Sequence, residues 1–126
     1  MAVVLEPEDT IVRRGDSLER YTVVLRDAQG VPLPIPPDAT PRLLMGRQRD
    51  EFAWIDAPMT IDDAAAGVVG YDWQPGDTDL PGIFRAFAVV TYADGSQRTF
   101  PYSGAFVVVV EDVAPPPAPV LNPLFP

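Results

Sequence analysis

Ile83-Phe84-Arg85-Ala86-Phe87-Ala88-Val89-Val90-Thr91-Tyr92, then Ala93-Asp94-Gly95-Ser96, then Gln97-Arg98-Thr99-Phe100, is the stretch on which the fold turns. Alternate residues Phe84, Ala86, Ala88, Val90 and Tyr92 form an unbroken apolar set at period two, the repeat of one strand face. The opposite set, Ile83, Arg85, Phe87, Val89 and Thr91, is only half polar. Asp94-Gly95 supplies the positive φ angles of a two-residue hairpin loop, so the runs on either side are predicted to pair antiparallel. No window of the 126-residue chain carries a helical stripe long enough for a helix. Asp62–Ala66 has room for one turn at most.

Working outward, strands are expected near Thr10–Arg13, Arg20–Arg26, Arg42–Arg47, Ala57–Ile61, Val68–Trp73 and Ala105–Glu111. Gly, Pro and Asp turns separate them at intervals of about ten residues, the spacing of a sandwich or barrel. The expectation is an all-β, antiparallel β-sandwich of about seven or eight strands. Pro75-Gly76-Asp77 ends one strand sharply, and Gly15 with Asp16 makes a turn after another. Asp27-Ala28-Gln29-Gly30 leads into Val31–Pro41, whose five prolines oppose a regular ladder. That segment is read as a crossing loop between sheets and not as a domain boundary.

The run Ala105–Val110 has no polar side: Ala105, Val107 and Val109 point one way, Phe106, Val108 and Val110 the other. An antiparallel sandwich normally leaves one face wet. Either a loop of the same chain or a neighbouring subunit is therefore expected to cover part of it, and Phe106, Val108 and Val110 are the candidate docking residues here. Residues 1–113 are read as the sandwich and 114–126 as an extended arm. The arm, Ala114–Pro126, holds six prolines and cannot join a sheet. Val120, Leu121, Leu124 and Phe125 give it apolar side chains that a solvated spacer does not need, and mark it as a docking arm onto a partner.

Composition narrows the chemistry. There is no Cys, so no disulfide, thiol nucleophile or zinc-finger spacing exists. There is no His, and all nine basic residues are Arg. The commonest general base, Schiff-base chemistry and the P-loop lysine are thus excluded, and with no His no Ser-His-Asp triad assembles. A formal charge of −9 opposes direct binding to a phosphate backbone. The first residues lack the basic region of a signal peptide, and no apolar run approaches a membrane span. The expectation is a non-enzymatic protein with no cofactor and no metal.

Several constellations have a functional and a bland reading. Arg14-Gly15-Asp16-Ser17 matches an integrin-binding tetrapeptide, or is simply a turn. The pairs Asp62/Asp63 and Asp77/Asp79 are turn formers or partial calcium ligands, although a calcium site needs six to eight oxygens. Trp54, Tyr71, Trp73 and Tyr102 are core aromatics or a sugar-stacking platform.

The signals follow one another in a definite order. They run Val12–Asp16, Tyr21–Leu25, Asp27–Gly30 with the proline loop, Arg42–Met45, Ala57–Ile61 and Gly67–Trp73. They continue with Pro75-Gly76-Asp77, Pro81-Gly82-Ile83-Phe84, Asp94-Gly95 and Thr99-Phe100-Pro101 before a last apolar strand. Over about Thr10–Val113 this resembles the Ig-like N-terminal domain of phage baseplate upper proteins and the small tailed-phage virion proteins built like it. The chain departs from the baseplate proteins in lacking a long C-terminal receptor-binding-organiser region, so a small stand-alone subunit fits the length better. The resemblance implies an Ig-like sandwich and a structural protein of the virion, in the tail or baseplate, the connector or the head decoration. It implies synthesis in the bacterial host cytoplasm and contacts with other virion proteins and with copies of itself. In Asp79-Leu80-Pro81-Gly82-Ile83-Phe84, Phe84 takes the tyrosine position of an Ig strand, so a tyrosine corner is expected to be absent. The alternative is an Ig-like module that recognises the host surface or a glycan, using the aromatic platform.

Overall fold

Period-two alternation, not intrinsic strand preference, decides where these strands lie and which side of each is buried. The structure is a computed structural model, and it describes residues 10–17, 20–47 and 53–112. Among these residues there is no helix, hence none long and apolar enough to cross a membrane. Nine strands form: β1 (Thr10–Arg13), β2 (Arg20–Val24), β3 (Thr40–Arg47), β4 (Ile55–Pro58), β5 (Thr60–Asp63), β6 (Val68–Asp72), β7 (Gly82–Thr91), β8 (Gln97–Phe100) and β9 (Phe106–Glu111).

They divide into two sheets. The larger runs β1-β9-β7-β3-β4, with β8 also paired to β7; the smaller runs β2-β6-β5. All pairs are antiparallel except β1 with β9. β7 is the central strand. Along one edge β3 pairs with Phe84–Thr91, and along the other β9 takes Gly82–Ala86 while β8 takes Ala88–Thr91. Phe84, Ala86, Ala88 and Val90 are all buried, as the alternation requires, and Tyr92 packs at the margin of the same core. The small sheet answers with Tyr21, Val23, Val69, Tyr71 and Trp73, so the architecture is β-sandwich-like. Each fully buried Val, Leu or Phe side chain in such a core contributes roughly 1.5–3 kcal/mol.

Three expectations are corrected. The expected strand Ala57–Ile61 is two strands, β4 and β5, which lie in different sheets; Met59 between them is buried and donates its N–H to Pro41 O at 2.9 Å. The chain switches sheets there, and alternation alone cannot register a crossing. The Asp94-Gly95 loop is longer than two residues. Gly95 N bonds Tyr92 O and Tyr92 N bonds Ser96 O, leaving three residues in the loop with Gly95 at φ 88°. That is a turn closed by a left-handed residue, which also joins antiparallel strands. Finally, Pro41 belongs to β3 and is buried there, although the rest of 31–41 does cross from the small sheet to the large one. Ile35 and Ala39 anchor that crossing in the core.

Candidate functional site

The two sheets differ on the sides they turn away from the core. On the small sheet, the outward residues of β2 are Arg20, Thr22 and Val24, paired across β6 with Asp72, Gly70 and Val68. Arg20 Nε donates to Asp62 Oδ2 at 3.1 Å and its second nitrogen to Asp62 Oδ1 at 2.6 Å. It also reaches Thr60 Oγ1, and it lies 2.7 Å from Asp72 Oδ1. These bonds hold the Asp62 carboxyl below the ordinary carboxylate range and push the guanidinium further up. Gly70 makes room for them: a Cβ there would stand 2.5 Å from Asp62 Oδ2 and 2.7 Å from Arg20 Nε. A glycine inside a strand marks a close approach of this kind. The small sheet thus finishes its outer surface with its own charges.

The large sheet does not. Its outward residues form rows across the strands, set by the register. Ile11, Val109 and Ile83 share one row, Val107 and Arg85 the next, Phe87, Leu44 and Asp56 the third, and Val89, Arg42 and Pro58 the fourth. Ile83 is 52% exposed and Ile11 49%, while Leu44, Phe87, Val89, Val107 and Val109 are half-buried. Among the described residues, the charged groups on this face are Arg13, Arg42, Arg85, Asp56 and Glu111. Arg85 places its guanidinium 5.8 Å from the Phe87 ring centroid, and Arg42 Nε donates to Asp56 Oδ1 at 3.0 Å. Exposed apolar patches on small proteins are candidate interaction sites, and this face is the candidate here.

The structure sorts the candidate residues as follows. Phe106, Val108 and Val110 lie in the chain's own core, which corrects their reading as docking residues; the half-exposed side of β9 is Val107 and Val109. Because β9 is apolar on both sides, its alternation does not say which side faces in. Only its register with β7, Phe84 opposite Val108 and Ile83 opposite Val109, decides it. Val120, Leu121, Leu124 and Phe125 lie outside the described residues.

The turn residues hold the end of the sandwich together. Gly15, at φ 87°, donates its N–H to Thr78 O, and the buried Thr78 hydroxyl donates to Asp16 O at 2.7 Å. The tetrapeptide at 14–17 is thereby part of a clasp to the loop after β6. In that loop the Asp77 carboxylate accepts from the Tyr71 hydroxyl and from Gln74 N, and its backbone oxygen accepts from Trp54 Nε1 at 2.7 Å. Burial and then this carboxylate raise the Tyr71 hydroxyl pKa. Phe84 is fully buried, as its position requires, and Tyr71 supplies a tyrosine-to-turn bond from β6 in the other sheet. Gly76 within this loop and Gly82 at its end take positive φ. Asp94 accepts from Ser96 N and Oγ, bonds that lower its pKa.

The four aromatics form no platform. Trp73 is 4% exposed, stacked on Tyr21 at 5.5 Å and edge-on to Tyr71 at 5.7 Å. Trp54 and Tyr102 are exposed, but Tyr102 lies on a separate open cleft of about 230 Å³ lined by Arg26–Gln29 and Arg98–Phe100. Among the described residues, no three acidic side chains gather as metal ligands: Asp62 is taken by Arg20, Asp63 accepts from Ala66 N, and Asp77 is bonded as above.

Compared with protein-family models and with curated proteins, the chain has no significant match to either.

Proposed function

We propose that this chain is an Ig-like structural subunit of a tailed-phage virion, working through contacts with neighbouring subunits and not through catalysis. The observation that carries the reading is the outer face of the large sheet, where Ile11, Val109 and Ile83 share one row and Val107 and Phe87 follow on the next rows. Covering such a face on a neighbour releases apolar surface from water at roughly 25 cal/mol per Å².

Support for the Ig-like part comes from strand order. With β2, β3, β4, β5, β6, β7 and β9 taken as B, C, C′, D, E, F and G, one sheet holds B, E and D and the other holds G, F, C and C′. The virion part rests on the order of turn and strand signals in the sequence, and fold alone does not fix function. The tail or baseplate, the connector and the head decoration are all compatible sites, and synthesis in the bacterial host cytoplasm goes with any of them. Of the four aromatics weighed for glycan recognition, Tyr71 and Trp73 lie in the core, while Trp54 and Tyr102 are exposed.

The test is the content of purified particles. Mass spectrometry of gradient-purified particles from the source lysate is expected to find the chain at a fixed stoichiometry to the major structural proteins. A chain left wholly in the soluble fraction, with no particle-bound copies, contradicts the proposal.

A further inference from the structure

We infer that the open cleft at Tyr102 binds an acidic sugar, a single ring bearing one carboxylate. Such a site does not depend on the structural-subunit reading and adds a ligand to the molecule whatever its neighbours are.

The cleft, of about 230 Å³, lies between two walls. One is the turn that begins at Asp27 after β2; the other is β8, with Tyr102 beyond it. Both walls are tied down. Asp27 N donates to Val31 O and Gly30 N to Asp27 O, and the Asp27 carboxylate accepts from Gln29 N and Val31 N. β8 is paired along β7, and buried Phe100 anchors it in the core. A volume below the roughly 300 Å³ of the smallest drug-sized pockets suits one ring and not a length of polymer.

The lining supplies three kinds of contact. The first is a guanidinium. Arg98 makes no hydrogen bond or ion pair among the described residues, and its one contact is the Phe100 ring, 5.9 Å from centroid to guanidinium carbon. Arg85 also lies over a ring, but on an open sheet face, whereas Arg98 lines a concavity. A guanidinium presents a fork of N–H donors that matches a carboxylate. The carboxylate of Asp27, on the opposite wall, is already committed to two backbone N–H groups. The second contact is a bare ring: Tyr102 is 73% exposed, a flat apolar surface with a hydroxyl at its tip. The third is the pair Gln29 and Thr99, both exposed, which add an amide and a hydroxyl. A simple anion such as acetate leaves the ring and these groups unused. An acidic sugar uses all three, with its carboxylate on Arg98, its ring on Tyr102 and its hydroxyls on Gln29 and Thr99.

The test is titration of the isotope-labelled full chain with D-glucuronate, followed through backbone amide shifts. Saturable shifts are expected at Ala28, Gln29, Thr99 and Tyr102, with a Kd of about 1 mM. D-glucose, the same ring without the carboxylate, is expected to bind at least about tenfold more weakly. Arg98→Gln and Tyr102→Ala are each expected to weaken glucuronate at least about fivefold. Arg85→Gln removes an equal charge from the large sheet and is expected to leave the Kd unchanged. Arg98 and Tyr102 are both exposed, so the fold is expected to survive their substitution, and thermal unfolding checks it. The absence of saturable shifts up to about 20 mM overturns the inference, as does a Kd that Arg98→Gln leaves unchanged or that glucose matches. Acetate or inorganic phosphate binding as tightly as glucuronate reassigns the cleft to simple anions. Triglutamate binding in place of glucuronate reassigns it to an acidic peptide, and either result overturns the sugar. None of these outcomes bears on the structural-subunit reading, which particle content decides.

Discussion

The outer face of the small sheet and the outer face of the large one are built from the same kinds of strand, yet they handle exposure in opposite ways. On the small sheet Arg20 crosses a bare glycine to reach Asp62 and Thr60, with Asp72 on its other side. On the large sheet Ile11 and Ile83 stand open beside Val109, and the guanidinium of Arg85 lies over a phenyl ring. The contrast teaches that this chain can finish a face for water when the face is meant for water. The apolar face is then a specific feature and not a shortage of polar residues.

The largest effect that would break this contrast comes from filling the gap at Gly70. Gly70→Val puts a branched side chain where Arg20 and Asp62 lie within 2.7 Å of a Cβ. The expected loss is about 2–3 kcal/mol, from overpacking and the displaced ion pair together. Urea unfolding measures it, and an unchanged midpoint would show that the small sheet does not depend on its charged cover.

Arg20→Met removes the cation but keeps much of the stem. Asp62 and Arg20 are both about three-tenths exposed and Asp72 more so, so solvent screens the contact and the expected loss is about 1 kcal/mol. The pH dependence follows from the same pair. The Asp62 pKa is lowered from 3.8 by its bonds to Arg20. The stability from this contact is therefore complete above the unfolded value of about 3.9 and is lost as pH falls through the lower folded value. Unfolding midpoints measured from about pH 5 down to about pH 2 are expected to fall less in Arg20→Met than in the parent chain.

The smallest expected change lies on the other face. Ile83→Ser removes an exposed side chain and is expected to shift monomer stability by no more than about 0.5 kcal/mol. A loss several times larger, measured on dilute protein, would place Ile83 in the folding core and dissolve the distinction between the two faces.

How much of this was legible before the structure follows from what alternation can and cannot encode. Ile83–Tyr92 carried its inward set in plain view, because one side was fully apolar and the other was not. Val68–Trp73 and Gln97–Phe100 were bounded by turn residues whose conformations force an ending. The split of Ala57–Ile61 into two strands was not legible, since crossing between sheets at Met59 preserves the local pattern while changing the partner. β9 was ambiguous for a different reason. With valines on both sides, the sequence announced an unusual strand but left open whether Val108 or Val109 met the core, and Phe106, Val108 and Val110 were assigned to the wrong side. The half-polar side of Ile83–Thr91 was legible, but its joining to Ile11 was not, because Ile11 and Ile83 are 72 positions apart and are linked through their shared neighbour Val109. Gly70 gave a local hint, as an unexplained glycine in a strand, that something lay across it.

Side-chain footprinting with photogenerated carbenes reads the covered face most directly. The purified full chain is labelled free in solution and again in gradient-purified particles. Tyr102, 73% exposed and on the open cleft with Arg26–Gln29, serves as the internal reference. Coverage of the face requires that Ile11, Ile83 and Phe87 lose most of their labelling on association while Tyr102 keeps its own. Equal labelling of Ile11 and Ile83 in both states would contradict it.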